Sequence, residues 1–119
     1  MFDGQYIHAS FGTPVVIDGP WFGRKGDMID YTVDIADVLN ATISVALIHK
    51  NTEDTGNGAA TGSTIAATST IGRTDQEFTS GLKEMVRYRF TVVCEDEVPG
   101  LGWILFRMLP PVWFDSLKG

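Results

Sequence analysis

"GLKEMVRYRFTVVCEDEVPGLGWILFRMLPPVWF", Gly81 to Phe114, is the densest run of large apolar residues in the chain. Its first half alternates. Val86, Tyr88, Phe90, Val92 and Cys94 share one side, and Arg87, Arg89, Thr91 and Val93 share the other. That period of two predicts a strand over 84–94 with one face in a core. "EDEVPGLG", Glu95 to Gly102, carries Pro99-Gly100 and reads as a hairpin loop. The return strand, 102–109, differs from the first. Ile104, Phe106 and Met108 form one side, Trp103, Leu105, Arg107 and Leu109 the other, and both sides are large and mostly apolar. One side fills the core. The other, followed by Val112, Trp113 and Phe114, needs a cover.

The same period recurs upstream. Ile29, Tyr31, Val33 and Ile35 alternate with Asp30, Thr32 and Asp34, which predicts a half-buried strand with an acidic outer side. Ile43, Val45 and Leu47 repeat it over 41–49. "DIADVLN" between them fits a helical turn or a strand crossing between sheets. Lys50 to Ser63 is polar and glycine-rich and reads as a long mobile loop. Short strands are expected at 63–69 and 76–80. Residues 1–27 are dense in Gly and Pro, with short strands or extended arm at 5–10 and 14–17. Pro110 and Pro111 stop the last strand's ladder, so the tail is expected to leave the sheet extended.

About seven short strands with frequent turns point to an all-β, Greek-key sandwich. The expected organisation is an N-terminal arm over 1–27, a sandwich over 28–109 and an extended C-terminal tail over 110–119.

The chain has 119 residues, 44% hydrophobic and 20% charged, with a net charge of −6. The length suits one domain. The acidic balance argues against binding a phosphate backbone, so no nucleic-acid partner is expected. No apolar stretch reaches the ~18 residues of a membrane span, so no membrane partner is expected either. The first residues lack a basic region followed by an apolar run, which reads as a protein that is not secreted. Cys94 is the only cysteine, which leaves no internal disulfide.

Motifs for chemistry are sparse. "GNGAATG", Gly56 to Gly62, places its third glycine one position late for a dinucleotide fingerprint and reads as a loop. His8 and His49 are the only histidines, too few with the inward Cys94 for a zinc set. Glu53-Asp54 and Glu95-Asp96-Glu97 match no EF-hand spacing. No catalytic, cofactor or metal residue is expected, and the protein reads as a non-enzyme.

Leu82 stands six positions before Tyr88, where the chain enters the penultimate strand. The pair resembles the tyrosine corner of immunoglobulin-like domains, in which the Tyr hydroxyl bonds the backbone upstream. "YTVD" (Tyr31 to Asp34), "LNATIS" (Leu39 to Ser44) and the Gly81-to-Tyr88 lead together resemble small Ig-like structural proteins of tailed-bacteriophage virions. The resemblance covers roughly residues 28–109. It implies an immunoglobulin-like fold and a role as a capsid decoration or cement protein, with a tail-associated module as the alternative. It implies partners in the major capsid protein or other virion subunits, a homo-oligomer, and location in the virion after synthesis in the host cytoplasm. A stand-alone carbohydrate- or cell-surface-binding module, using Trp21 or Trp103 in a groove, is the other reading.

The uncovered side of the last strand is the expected site. A contiguous exposed apolar area beyond a few hundred Å2 marks an interaction surface. Trp103, Leu105, Arg107, Leu109, Val112, Trp113 and Phe114, with Phe11, Trp21 and Phe22 of the arm, are the expected interface. The alternative is that residues 1–27 fold back over it. Arg107, amid these apolar side chains, is expected to pair with a partner's acid or with Asp30 or Asp34.

Overall fold

A computed structural model describes residues 3–78 and 81–115 of the chain. Among them are ten strands and no helix. The strands are β1 (Asp3–Ser10), β2 (Val15–Asp18), β3 (Phe22–Gly23), β4 (Met28–Leu39), β5 (Ala41–Lys50), β6 (Ala59–Thr68), β7 (Gly72–Phe78), β8 (Met85–Cys94), β9 (Leu101–Met108) and β10 (Val112–Phe114). They form two antiparallel sheets packed face to face, the all-β sandwich that the alternation predicts.

The front sheet places β9 between β1 and β4, with β7 on the far edge of β4. β10 pairs residues 28–30 of β4, on the edge where β9 pairs residues 33–39, so β10 continues β9 after a break at the two prolines. The Leu109 amide bridges the break by donating to the Thr32 carbonyl at 3.0 Å. The tail expected to leave the sheet therefore rejoins it. Pro110 and Pro111 interrupt the ladder for two residues only, because each removes one donor while the extended backbone stays in line. Residues 116–119 of that tail lie outside the described residues.

The back sheet reads β2, β8, β5, β6, with β3 beside β2 on the same edge of β8. Counting β2 with β3, and β9 with β10, as single interrupted strands, the front order is 1-8-3-6 and the back order 2-7-4-5. This is the pairing of an eight-stranded jelly roll. In an immunoglobulin-like sandwich the last two strands are neighbours in one sheet. Here β8 lies in the back sheet and β9 in the front, so the hairpin expected at 95–102 is instead an arch between sheets. Residues 3–23, expected as an arm, supply an edge strand to each sheet. The strand expected at 76–80 runs over Gly72–Phe78, and residues 79–80 lie outside the described residues. The expected loop at 50–63 is shorter, since β6 starts at Ala59. Its turn is fastened by the Asn51 amide donating to Asp54 Oδ2 at 2.9 Å and the Thr52 amide donating to Glu84 Oε1 at 3.0 Å.

The core follows the alternation. Ile29, Tyr31, Val33, Ile35, Ile104, Phe106 and Met108 of the front sheet face Ile43, Val45, Leu47, Val86, Tyr88, Phe90 and Val92 of the back sheet, and all are buried. Phe90 and Phe106 meet across the gap with centroids 5.1 Å apart. Tyr31 closes the β6–β7 side, its hydroxyl donating to the Ser63 carbonyl at 2.8 Å.

Asn40 makes the sharp corner from β4 into β5. It sits at φ 50°, a left-handed conformation that Asn tolerates better than most residues. Its Oδ1 accepts from the Asp96 amide at 3.0 Å, and its Nδ2 donates to the carbonyls of Asp96 at 3.1 Å and Leu101 at 3.2 Å. One side chain thus ties the β4–β5 corner to the β8–β9 arch.

Candidate contact surface

β4 carries a bulge between Ile35 and Asp37. An extra residue reverses which side each later residue faces. Val38 turns to the core and Leu39 turns out, half exposed beside its register partner Trp103. Tyr6 of β1 stacks edge-on against Trp103, centroids 5.2 Å apart and planes at 79°. Leu105 lies between Tyr6 and Asp37 in register. At the arch end, Leu101 is 63% exposed and Phe11 48%. The Phe11 amide donates to the Gly100 carbonyl at 2.8 Å, which holds the β1–β2 turn against the arch. His8, Leu39, Pro99, Leu101 and Trp103 line a groove of about 370 Å3 here. The upper half of the front face is therefore mainly apolar, with His8 and Asp37 at its margins.

The lower half of the same face is acidic. Asp30, Asp34, Asp75 and Glu77 stand in adjacent register on β4 and β7, with Arg73 and Arg107 among them. Arg107 Nε donates to Asp34 Oδ2 at 3.1 Å, as expected from sequence, and Thr32 Oγ1 donates to Asp75 Oδ1 at 2.7 Å. Asp30 Oδ1 is buried with no hydrogen-bond partner among the described residues. Burial, then the charges of Asp75 and Glu77, push the Asp30 carboxyl above its ordinary value.

The back face is built differently. Its upper half carries small side chains: Thr42, Ser44 and Ala46 of β5, Thr91 and Val93 of β8, and Val16 of β2. Its lower half is basic on β5 and β8, with Lys50, Arg87 and Arg89 beside Asp18, while Asp54 and Glu84 stand at the turn below Lys50. Arg89 Nε pairs Asp18 at 2.6 Å, which holds that carboxyl below its ordinary value. Two cations stand over the Trp21 ring, Arg87 at 4.4 Å and Lys50 at 4.8 Å from its centroid. Ile48 shares this outward side yet is 2% exposed, because Trp21 and Gly58 close over it.

The expected interface residues thus fall in four places. Trp103, Leu105 and Arg107 lie on the outer front face, joined at its lower end by Val112 and Phe114, both exposed, while Phe11 stands at the arch. Leu109 is half-buried at the strand break. Trp113 and Phe22 turn inward and meet between the sheets, centroids 6.1 Å apart, so both belong to the core's lower end. Trp21 sits on the opposite face. Leu82 and Tyr88 are both buried, but no corner bond forms among the described residues. The Tyr88 hydroxyl has no partner among the described residues, since Tyr88 points between the sheets toward Tyr31 and Phe22 rather than back along its own chain. Burial pushes its pKa well above the ordinary tyrosine range.

Tyr6, Leu39 and Leu101 complete the surface and escaped the sequence reading. Leu39 turns out only through the bulge, which has no sequence marker beyond Ala36. No family model, no curated protein and no solved structure matches the chain.

Proposed function

We propose that the chain is a non-enzymatic structural subunit of a virion, a decoration or cement protein of a phage head that acts by burying surface between subunits. The observation that carries this reading is the apolar upper half of the front face. Tyr6, Leu39 and Leu101 are each at least half exposed and adjoin Trp103 and Leu105. Apolar area exposed to water costs free energy, and covering it recovers roughly 25 cal/mol per Å2. The jelly-roll order is compatible, since that architecture serves capsid domains, but it also serves lectins and cupins and chooses no function by itself. A tail-associated module would use the same surface. The groove lined by Trp103 and His8 favours glycan binding as the second reading.

The test is co-sedimentation with purified phage heads, set beside a glycan panel, for the wild type and Trp103→Asp. The proposal expects head binding by the wild type and at least tenfold weaker binding by the variant. Glycan binding that depends on Trp103, without head binding, overturns it in favour of the second reading. Equal binding of heads by both proteins overturns the assignment of the surface.

A further inference from the structure

We infer that copies of this chain stack head to tail, the front face of one copy resting on the back face of the next. The inference rests on the reading of the front face as a contact surface and names its occupant as a second copy.

Three observations carry it. The first is charge. The lower front face has a carboxylate excess and the lower back face a cation excess, so the two broad sides of one molecule are electrostatic complements. Asp30, Asp75 and Glu77 stand close enough to raise the Asp30 carboxyl, so a cation approaching this cluster relieves their mutual repulsion. The second is relief. The upper front face is bulky, with Tyr6, Trp103 and Leu39. The upper back face is low, with Ser44, Thr91 and Val93, and receives large side chains without displacing any.

The third is register. β4 runs from the acidic end at Met28 up to Leu39, and β5 runs back down from Ala41 to Lys50. Both faces are therefore zoned along the strands in the same sense, apolar at the arch end and charged at the other. A copy displaced along the sheet normal sets apolar on small and acid on base together. Front-to-front pairing does neither. In one orientation it opposes carboxylates with carboxylates, and in the other it buries them under Trp103. The molecule measures 53 × 30 × 21 Å, and its broad side exceeds the ~800 Å2 per partner of a standard contact. A heterologous contact repeated by displacement along one axis does not close and grows as a filament.

The experiment is sedimentation velocity on the full chain and two double variants. One spoils the front face (Glu77→Lys with Trp103→Ala) and the other the back face (Ser44→Glu with Val93→Glu). Circular dichroism confirms that each is folded. The wild type is expected to grow beyond a dimer with concentration, and raising the salt to ~0.5 M should weaken growth about tenfold. Each variant alone is expected to stay monomeric, while their equimolar mixture forms a dimer and nothing larger, since only one good face remains on each.

A back-face variant that still dimerises alone overturns the inference, because the contact is then front-to-front. A mixture that stays monomeric overturns it too. A monomeric wild type that nevertheless binds heads through Trp103 overturns the stacking and leaves the proposed function standing. The salt titration needs no variant, so a misfolded variant does not spare the inference.

Discussion

Replacing Asn40 tests whether the corner and the arch are one unit. Asn40→Gly keeps the left-handed backbone and removes the side chain. Three hydrogen bonds to the backbone are lost, to the Asp96 amide, the Asp96 carbonyl and the Leu101 carbonyl, together with the weaker one to Cys94 Sγ. All three are solvent-accessible, so each sits at the low end of the usual range, about 0.5 kcal/mol. Glycine's extra freedom in the unfolded chain adds about 0.5 kcal/mol, so the total loss is about 2 kcal/mol. Asn40→Ala loses the same bonds and must hold φ near 50°, for about 1 kcal/mol more than glycine. At about 4 °C per kcal/mol, glycine should lower Tm by about 8 °C and alanine by about 12 °C. Gly102→Ala is the cross-check, since a Cβ there runs into the Asn40 carbonyl. It should cost about 2–3 kcal/mol although it deletes no contact. Urea unfolding followed by tryptophan fluorescence measures all three. If alanine and glycine prove equal, the left-handed corner is refuted. If both lie within 0.5 kcal/mol of wild type, Asn40 does not link the sheets.

Tyr88→Phe removes a buried hydroxyl that has no partner among the described residues, so it should leave Tm unchanged or raise it; a loss above about 1 kcal/mol would reveal a bond at that oxygen. Asp30→Asn should raise Tm at neutral pH. The folded carboxyl is raised above its ordinary 3.8, so the native state loses stability as the pH rises past 3.8 and the loss is complete above the folded value; the variant's advantage should vanish below 3.8, where both states are protonated. A Tm difference independent of pH sinks that account. Cys94 is buried and accepts from Asn40 Nδ2 at 3.4 Å, so a thiol reagent should label it no faster than global unfolding permits, and labelling within seconds in native buffer contradicts its placement.

The layers of the fold were legible because alternation is a local property. The inward sets of β4, β5, β8 and β9 follow from period two alone, and the structure buries every one. The order of strands was not legible, because a turn signal does not tell a hairpin from an arch. "EDEVPGLG" suits both, and the choice is made by Asn40, distant in sequence, which fastens the arch from outside. The tail misled for a related reason. A double proline forbids two donors, yet β4 offers further unpaired backbone beyond them, and β10 takes it up.

At the surface, the outer side of β9 was visible as a second apolar set. Its neighbours were not, since Leu39 depends on the bulge and Tyr6 on a pairing between chain ends. The zoning of the two faces emerges only when both sheets are aligned.

The central claim is that the front face meets another subunit, and hydroxyl-radical footprinting tests it most directly. The chain is oxidised free and in its assembly, and modification is read at Tyr6, Leu39, Leu101 and Trp103, with the inward Trp113 as the internal reference. The account predicts several-fold protection of those four residues on assembly while Trp113 stays constant. Unchanged oxidation of Tyr6 and Trp103, with protection appearing elsewhere on the molecule, would contradict it.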